Sequence, residues 1–431
     1  MEEYICFEAE NIINNFDKTT IINFINNYGK NPFIYDNKLF FPKELLNKDF
    51  LKNLTNYQDK NKSKSILELN LKTDSDKLNE LYSSNKKEPS GLLNLEGVCY
   101  MNAVLQCLYY CAPITNFFLM LNESKKSKLG LVSKGYYNFV HDLFNGNKSA
   151  AKNLRTALIT TENYFDGRGG KDSKELIIFL LSELHEELKE NDFSLQKLNN
   201  SSKVDTSNKF AVYKEKIELD KNNKNNSIIS DTFNFYILIE YKCNNKNCKG
   251  LYSKTFFHIQ NENIITFELK NIVNYFNKVS ANISLEECLL SYNKIECTTC
   301  PYCKTKQLAI KKSICSLPNI FIFIMSRGKF AGYDCKISFP IEIDMGNYYN
   351  PIDQIDNAYK GKSSTYDLIG ATFVYDWIKG NEHEGHTIAF CKTFKNGHFY
   401  LFNDRSAKEV GLKEIDGKVP YILFYEKRKS K

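Results

Sequence analysis

The stretch GLLNLEGVCYMNAVLQCL, from Gly91 to Leu108, constrains the fold more than any other part of the chain. A polar, glycine-bearing turn runs into Cys99, and a helical pattern starts at once. Met101, Val104, Leu105 and Leu108 recur at i, i+3, i+4 and i+7, one apolar face. Pro113 is read as the end of that pattern. Cys99 is thereby placed at or beside a helix N-terminus, where unpaired N–H groups and the macrodipole favour a thiolate. A nucleophile suits this position. So does burial as a small apolar side chain, the common fate of a free cysteine, which Cys107 and Cys111 fit better.

Nucleophilic cysteine chemistry also needs a general base and a group that orients it. Six histidines are available. His141 and His258 stand in plain contexts, and His185 lies within a leucine-rich stretch. His383 and His386 occur together in GNEHEGHTIAFCKTF, at the entry to an apolar run with strand character. A histidine at a strand start is equally a surface residue, so position alone leaves the base open. The stretch KDSKELIIFLLSELHEELK reads as an amphipathic helix with Leu176, Leu180, Leu184 and Leu188 on one face. Asp172 is its expected N-cap, with Glu175 at the reciprocal capping-box position.

Five of the thirteen cysteines are closely spaced in the middle of the chain. Cys243 and Cys248 form a C-x4-C pair, and Cys297, Cys300 and Cys303 form two overlapping C-x2-C pairs. Thiolates so spaced can converge on one structural Zn²⁺, and the alternative is a ribbon that keeps its cysteines without metal. No export signal accompanies them, which favours metal ligation over disulfides. The start MEEYICFEAE is no signal peptide, and no run reaches eighteen apolar residues. A soluble, intracellular protein without membrane contact is expected, cytoplasmic or nuclear. The net charge of +7 is scattered among Asn, Ser and Glu, so no nucleic-acid partner is expected.

Along the 431 residues, 1–57 carry short apolar runs that suggest a few helices, and 58–90 form a polar linker. The main domain spans 91–431, with a polar stretch near 191–226 read as an insertion or mobile loop, and a cysteine ribbon over 243–303.

The Gly91–Leu108 stretch resembles the cysteine box of the ubiquitin-specific proteases, roughly GLxNLGNTCYMNAxLQxL. Gly91, Leu92, Asn94, Leu95, Cys99, Tyr100, Met101, Asn102, Ala103, Leu105, Gln106 and Leu108 match. The resemblance implies that Cys99 is the nucleophile and that Asn94 supplies an oxyanion-hole side chain. Glu96, Gly97 and Val98 depart from the usual Gly-Asn-Thr, and Glu96 replaces a residue for which positive φ is expected. The Asp172 helix is similar to the box QQDAxEFLxxLLxxLHExL, with Gly170 and Lys171 in place of the glutamines. That likeness makes Asp172 a contact for ubiquitin's C-terminal tail, beside its role as cap. From Tyr366 to Asp404 the chain resembles the histidine box, with His386 as base, Asn403 as the third triad member and Asp404 beside it. Thr387 and Tyr375 depart there.

By the same resemblance Cys243, Cys248, Cys300 and Cys303 hold the zinc of a fingers ribbon, and Cys297 is spare. The implied fold is α+β, a papain-like protease with thumb, palm and zinc-ribbon fingers. The implied activity is thiol-dependent hydrolysis at the C-terminal glycine of ubiquitin by a monomer acting on ubiquitin and ubiquitinated proteins. Three other readings fit: a catalytically weak ubiquitin-binding scaffold, a protease for another ubiquitin-like modifier, and a zinc-dependent interaction module.

Strand register tests the histidine assignment. A tight two-residue turn at Asn396-Gly397 would pair His386 with Ala407 and leave Asn403 roughly 13 Å along the strand. A triad therefore requires a longer loop centred near Lys395, with Asn396-Gly397 closing it.

Overall fold

The computed structural model describes residues 4–7, 33–35, 38–42, 81–82, 85, 87–95, 97–166, 171–189, 205–222, 226–278, 282–327, 335–350, 352, 363–375, 386–394, 396–415 and 418–428. They fall in two units, Met1–Lys86 and Lys87–Lys431. In the first, β1 (Tyr4–Phe7), β2 (Phe33–Tyr35) and β3 (Lys38–Pro42) form an antiparallel sheet in the order β1-β3-β2. The run NKLFFP thus contributes a strand where a helix was the expectation, as large apolar residues favour pairing. The run IINFINNYG lies outside the described residues.

The second unit opens with helices: α1 (Cys99–Tyr109), α2 (Ala112–Leu119), α3 (Leu131–Phe144), α4 (Ala151–Thr161), α5 (Ser173–Leu188), α6 (Lys209–Asn222) and α7 (Ile228–Phe233). Pro113 does not end α1, which stops at Tyr109; it sits in the first turn of α2, where a missing N–H costs nothing. All eleven residues of α1 are buried, so the helix is central and not merely amphipathic. The polar stretch near 191–226, read as an insertion or mobile loop, holds a helix. Its part from Lys209 to Asn222 is α6, held by Tyr213, which is buried against Leu238 and Ile259 with Val212 and Ile217 beside it. Only one narrow apolar edge anchors this helix, which a composition reading passes over.

Strands follow: β4 (Phe235–Cys243), β5 (Phe256–Glu262), β6 (Ile265–Glu268), β7 (Asn282–Ser284), β8 (Ile295–Thr298), β9 (Leu308–Ile314), β10 (Ile320–Ser326), β11 (Lys336–Ser338), β12 (Glu342–Asp344), β13 (Thr365–Tyr375), β14 (His386–Lys392), β15 (Phe399–Asn403), β16 (Ser406–Glu409) and β17 (Val419–Lys427). The main sheet runs β16-β15-β14-β13-β17-β10-β6, with β12 also on β13. Its centre is buried on both faces, which explains the uninterrupted IFIFIMS of β10. Ile320, Ile322 and Ile324 face the helices, while Phe321, Phe323 and Met325 fill a second core behind the sheet. A separate antiparallel sheet, β5-β4-β9-β8, carries the clustered cysteines. No helix among the described residues is long and apolar enough to cross a membrane.

Helix α1 packs against β14 and β13 through Cys107, whose Sγ lies 3.7 Å from that of Cys391. Cys391 is therefore packed against Cys107. This docking brings Cys99, at the start of α1, beside His386, at the start of β14.

Candidate active site

The turn before α1 is built around Asn94. Its Oδ1 accepts from the N–H groups of Gly97 (3.0 Å) and Val98 (2.9 Å), and its Nδ2 donates to Asp404 Oδ2 (3.0 Å). Positive φ falls on Gly97 (84°), where glycine carries no steric cost; Glu96, expected to bear it, lies outside the described residues. Helix α1 then starts after Val98 with no side-chain cap, so its first N–H groups keep their partial positive charge beside Cys99. Cys99 is 6% exposed.

His386 joins two of these elements. Its Nε2 donates to Asn403 Oδ1 at 2.7 Å, which leaves Nδ1 for its hydrogen bond with the Cys99 thiol. The β14–β15 connection makes this possible. Thr393 N–H donates to His398 O (2.9 Å) and Gly397 N–H to Thr393 O (3.0 Å), so four residues, 394–397, form the loop. Asn396 Oδ1 accepts from Thr393 Oγ1 and His398 N–H, and Gly397 closes the loop at φ 69°. The pairing Ala389 with Phe402, continued by one residue, sets Asn403 beside Ile388, on the same face as His386. Lys395 lies outside the described residues, but the longer loop is the one the triad required.

Asp404 turns the chain from β15 into β16 with φ 47°, a left-handed conformation that aspartate tolerates. Its Oδ2 is 4.0 Å from His386 Nε2, and its Oδ1 accepts from Asn102 Nδ2 at 2.8 Å. Leu92 N–H donates to Asp404 O (2.7 Å), and a Cβ on Gly91 would overlap that carbonyl and the backbone of Arg405. In the sequence, Gly91 and Asn102 stand out only as box matches. The signal for Asn102 is a polar residue one helical turn past Cys99, in a stretch that suits a core apart from Asn102 and Gln106.

His386 is raised from its ordinary 6.5 to about 9. The hydrogen bond with Cys99 is the largest cause; burial opposes it, and the Asn403 bond and the charges of Cys99 and Asp404 add to it. Beside the Cys99 sulfur the imidazole thus favours holding a proton over the neutral range. His383 lies outside the described residues. His398 instead pairs with Glu409 (2.7 Å) at the hairpin end.

Asp172 caps α5: its Oδ1 accepts from Lys174 N–H (2.8 Å) and from Tyr421 Oη (2.5 Å). The reciprocal capping box does not form, since Asp172 N–H donates to Tyr164 Oη (3.4 Å) and Glu175 pairs with Lys174 (3.7 Å). Near-complete burial beside the Asp172 charge pushes the Tyr421 hydroxyl far above its ordinary range.

In the β5-β4-β9-β8 sheet, the sulfurs of Cys243, Cys248, Cys300 and Cys303 all lie within 4.8 Å of one another. Cys243 and Cys303 are 3.5 Å apart and Cys248 and Cys300 3.9 Å, near the ~3.8 Å edge of a tetrahedron with Zn–S of about 2.3 Å. Backbone N–H groups of Asn245, Gly250 and Thr305 donate to Cys243, Cys248 and Cys303. Donors aimed at sulfur suit thiolates on a metal, so the residues fit zinc. Cys297 is exposed on β8, outside the group.

A cysteine at a helix end, paired with a strand-borne imidazole that an amide holds, has the geometry a thiol-dependent hydrolase requires. Residues 90–425 match the family model described as ubiquitin carboxyl-terminal hydrolase, and the chain belongs to that family. Among similar proteins is ubiquitin carboxyl-terminal hydrolase 8 of Saccharomyces cerevisiae, 24% identical over 365 residues, covering 78% of this chain and 70% of that protein. Another is the probable ubiquitin carboxyl-terminal hydrolase 4 of Schizosaccharomyces pombe, 25% identical over 387 residues, covering 81% of this chain but only 60% of the relative. Among solved structures, the SAGA Ubp8/Sgf11/Sus1/Sgf73 DUB module bound to ubiquitin aldehyde aligns with a TM-score of 0.55 at 21% identity, over 79% of this chain and 70% of that one. A variant of that module bound to monoubiquitin aligns at 0.57 and 20% identity, over 85% and 77%. The fold is the α+β, papain-like one, with thumb, palm and a cysteine-bearing fingers sheet.

Proposed function

We propose that this chain is a deubiquitinase that cleaves the peptide or isopeptide bond after the C-terminal glycine of ubiquitin through a thioester on Cys99. The observation that carries this reading is the hydrogen-bonded series Cys99, His386, Asn403. His386 takes the Cys99 proton, and the resulting thiolate is stabilised by the imidazolium and the α1 N-terminus. Asn403 holds the Nε2–H tautomer, so that Nδ1 meets the sulfur. The thiolate attacks the glycine carbonyl carbon, and negative charge builds on the carbonyl oxygen. Cys99 N–H and the second hydrogen of Asn94 Nδ2, the one not given to Asp404, serve that oxyanion; each such donor is worth roughly 3 kcal/mol. His386 then protonates the departing lysine amine. Finally it accepts a proton from water, whose oxygen attacks the thioester and frees the ubiquitin carboxylate and Cys99.

Asp172 is the candidate contact for the ubiquitin tail. Cys243, Cys248, Cys300 and Cys303 would hold a structural zinc that stiffens the fingers sheet and takes no part in the chemistry. The partners on this reading are ubiquitin and ubiquitinated proteins, and the chain works as a monomer inside the cell, in the cytoplasm or nucleus, where such conjugates are found. The deciding experiment is labelling by ubiquitin bearing a C-terminal electrophile. An adduct that needs Cys99 and weakens in His386→Ala supports the reading. Binding without an adduct makes the chain a scaffold, and neither binding nor adduct points to another modifier.

A further inference from the structure

We infer that Asn102 is a positioning residue of the active site, acting on catalysis through Asp404. Asn102 lies one turn past Cys99 on α1 and is 3% exposed. Its Nδ2 donates to two acceptors, Leu93 O (3.2 Å) and Asp404 Oδ1 (2.8 Å). The amide cannot be turned round, because its oxygen would then face a carbonyl and a carboxylate. In the orientation present, Asn102 Oδ1 is buried with no hydrogen-bond partner among the described residues. An orphaned acceptor costs stability that an apolar side chain would avoid. The donors are what that cost retains.

Both donors reach parts of the site. Leu93 immediately precedes Asn94, whose amide links the turn to Asp404 Oδ2. Asp404 is mostly buried, adjoins Asn403 in the chain and stands 4.0 Å from His386. Asn102 and Asn94 therefore grip the two carboxylate oxygens from opposite sides, one from the nucleophile's helix and one from the turn before it. The grip fixes the β15–β16 turn that carries Asn403, and it keeps the Asp404 charge on the imidazolium side. Without the Asn102 donors, Oδ1 loses a charge-assisted bond in a place that water barely reaches, and the carboxylate is free to turn away from His386.

This inference rests on the thiol-hydrolase reading, so its test is split. The first readout needs no ubiquitin: the rate of alkylation of Cys99 by chloroacetamide, followed by mass spectrometry of the Cys99 peptide. The second is kcat and KM on a ubiquitin C-terminal amide substrate. Asn102→Ala is expected to slow alkylation and lower kcat about ten- to hundredfold, the worth of one hydrogen bond to a charged group, with KM within about twofold. Asn102→Ser, which keeps one donor, is expected to recover part of both. In an Asp404→Ala background the same Asn102 changes should cost less than about twofold, because the route is already cut. Full, additive losses in that background overturn the proposal. So does failure of both Asn102 variants to fold, which would assign the side chain to the core. Fast alkylation with no turnover of ubiquitin substrate would count against the substrate reading alone.

Discussion

Replacing Cys99 with alanine should return His386 from about 9 to near its ordinary 6.5. The bond with the Cys99 thiol is the largest influence on the imidazole, and the Cys99 charge adds to it; alanine removes both. What remains are opposing effects, burial pulling down and the Asn403 bond and Asp404 charge pulling up, so they largely cancel. At pH 8 the protonated fraction of the ring should fall from about nine-tenths to a few per cent. A titration of the imidazole carbon resonance by NMR, assigned with a His386→Ala sample, measures this directly. The sign for stability follows. A raised imidazole pKa contributes stability that is complete below about 6.5 and is lost as pH climbs through about 9, so Cys99→Ala should lack the wild type's decline over that window. An imidazole that still titrates near 9 in the alanine variant would refute the pairing as the cause.

Other expectations are more local. Cys300→Ser should abolish binding of one zinc per chain, read by elemental analysis, whereas Cys297→Ser should leave it unchanged. Asp172→Asn keeps an equally good N-cap and an oxygen for Tyr421 but removes the charge. If Asp172 meets the ubiquitin tail, KM should rise about tenfold with thermal stability nearly unchanged; an unchanged KM would leave it a cap. Gly91→Ala should destabilise the chain by about 1–3 kcal/mol in denaturant titrations and lower kcat, since the new methyl overlaps the Asp404 turn that Leu92 holds.

Much of this arrangement is legible because it is local. The apolar spacing from Met101 to Leu108 marks α1, and Asp172 before a leucine-rich run marks the start of α5. The cysteine spacings mark the ribbon, as a C-x2-C turn brings two sulfurs to one point. The misreadings have physical causes too. Pro113 reads as a stop because proline breaks a helix interior, yet the same residue opens the next helix just as well. Helix α6 hides in a polar stretch because tertiary contact by Tyr213, and not a broad apolar face, holds it in place.

The centre itself shows where sequence reading runs out. That His386 needs a loop longer than an Asn-Gly turn follows from strand geometry once the resemblance names Asn403 as its partner, since a shift of two residues decides whether Asn403 or a neighbour reaches the ring. Register can be reasoned along a hairpin because the chain is its own ruler. The ties among Gly91, Asn94, Asn102 and Asp404 have no such ruler: they span some three hundred residues, as Asn102 and Asp404 are 302 apart. Nothing in the spacing of α1 says that its buried amide faces a carboxylate and not solvent or another helix. What the sequence does hold is an inconsistency, two amides, Asn102 and Gln106, in a helix whose other residues suit a core. Polar residues kept in such places against the cost of burial are where an account built on apolar periodicity should expect the long-range bonds of an active site.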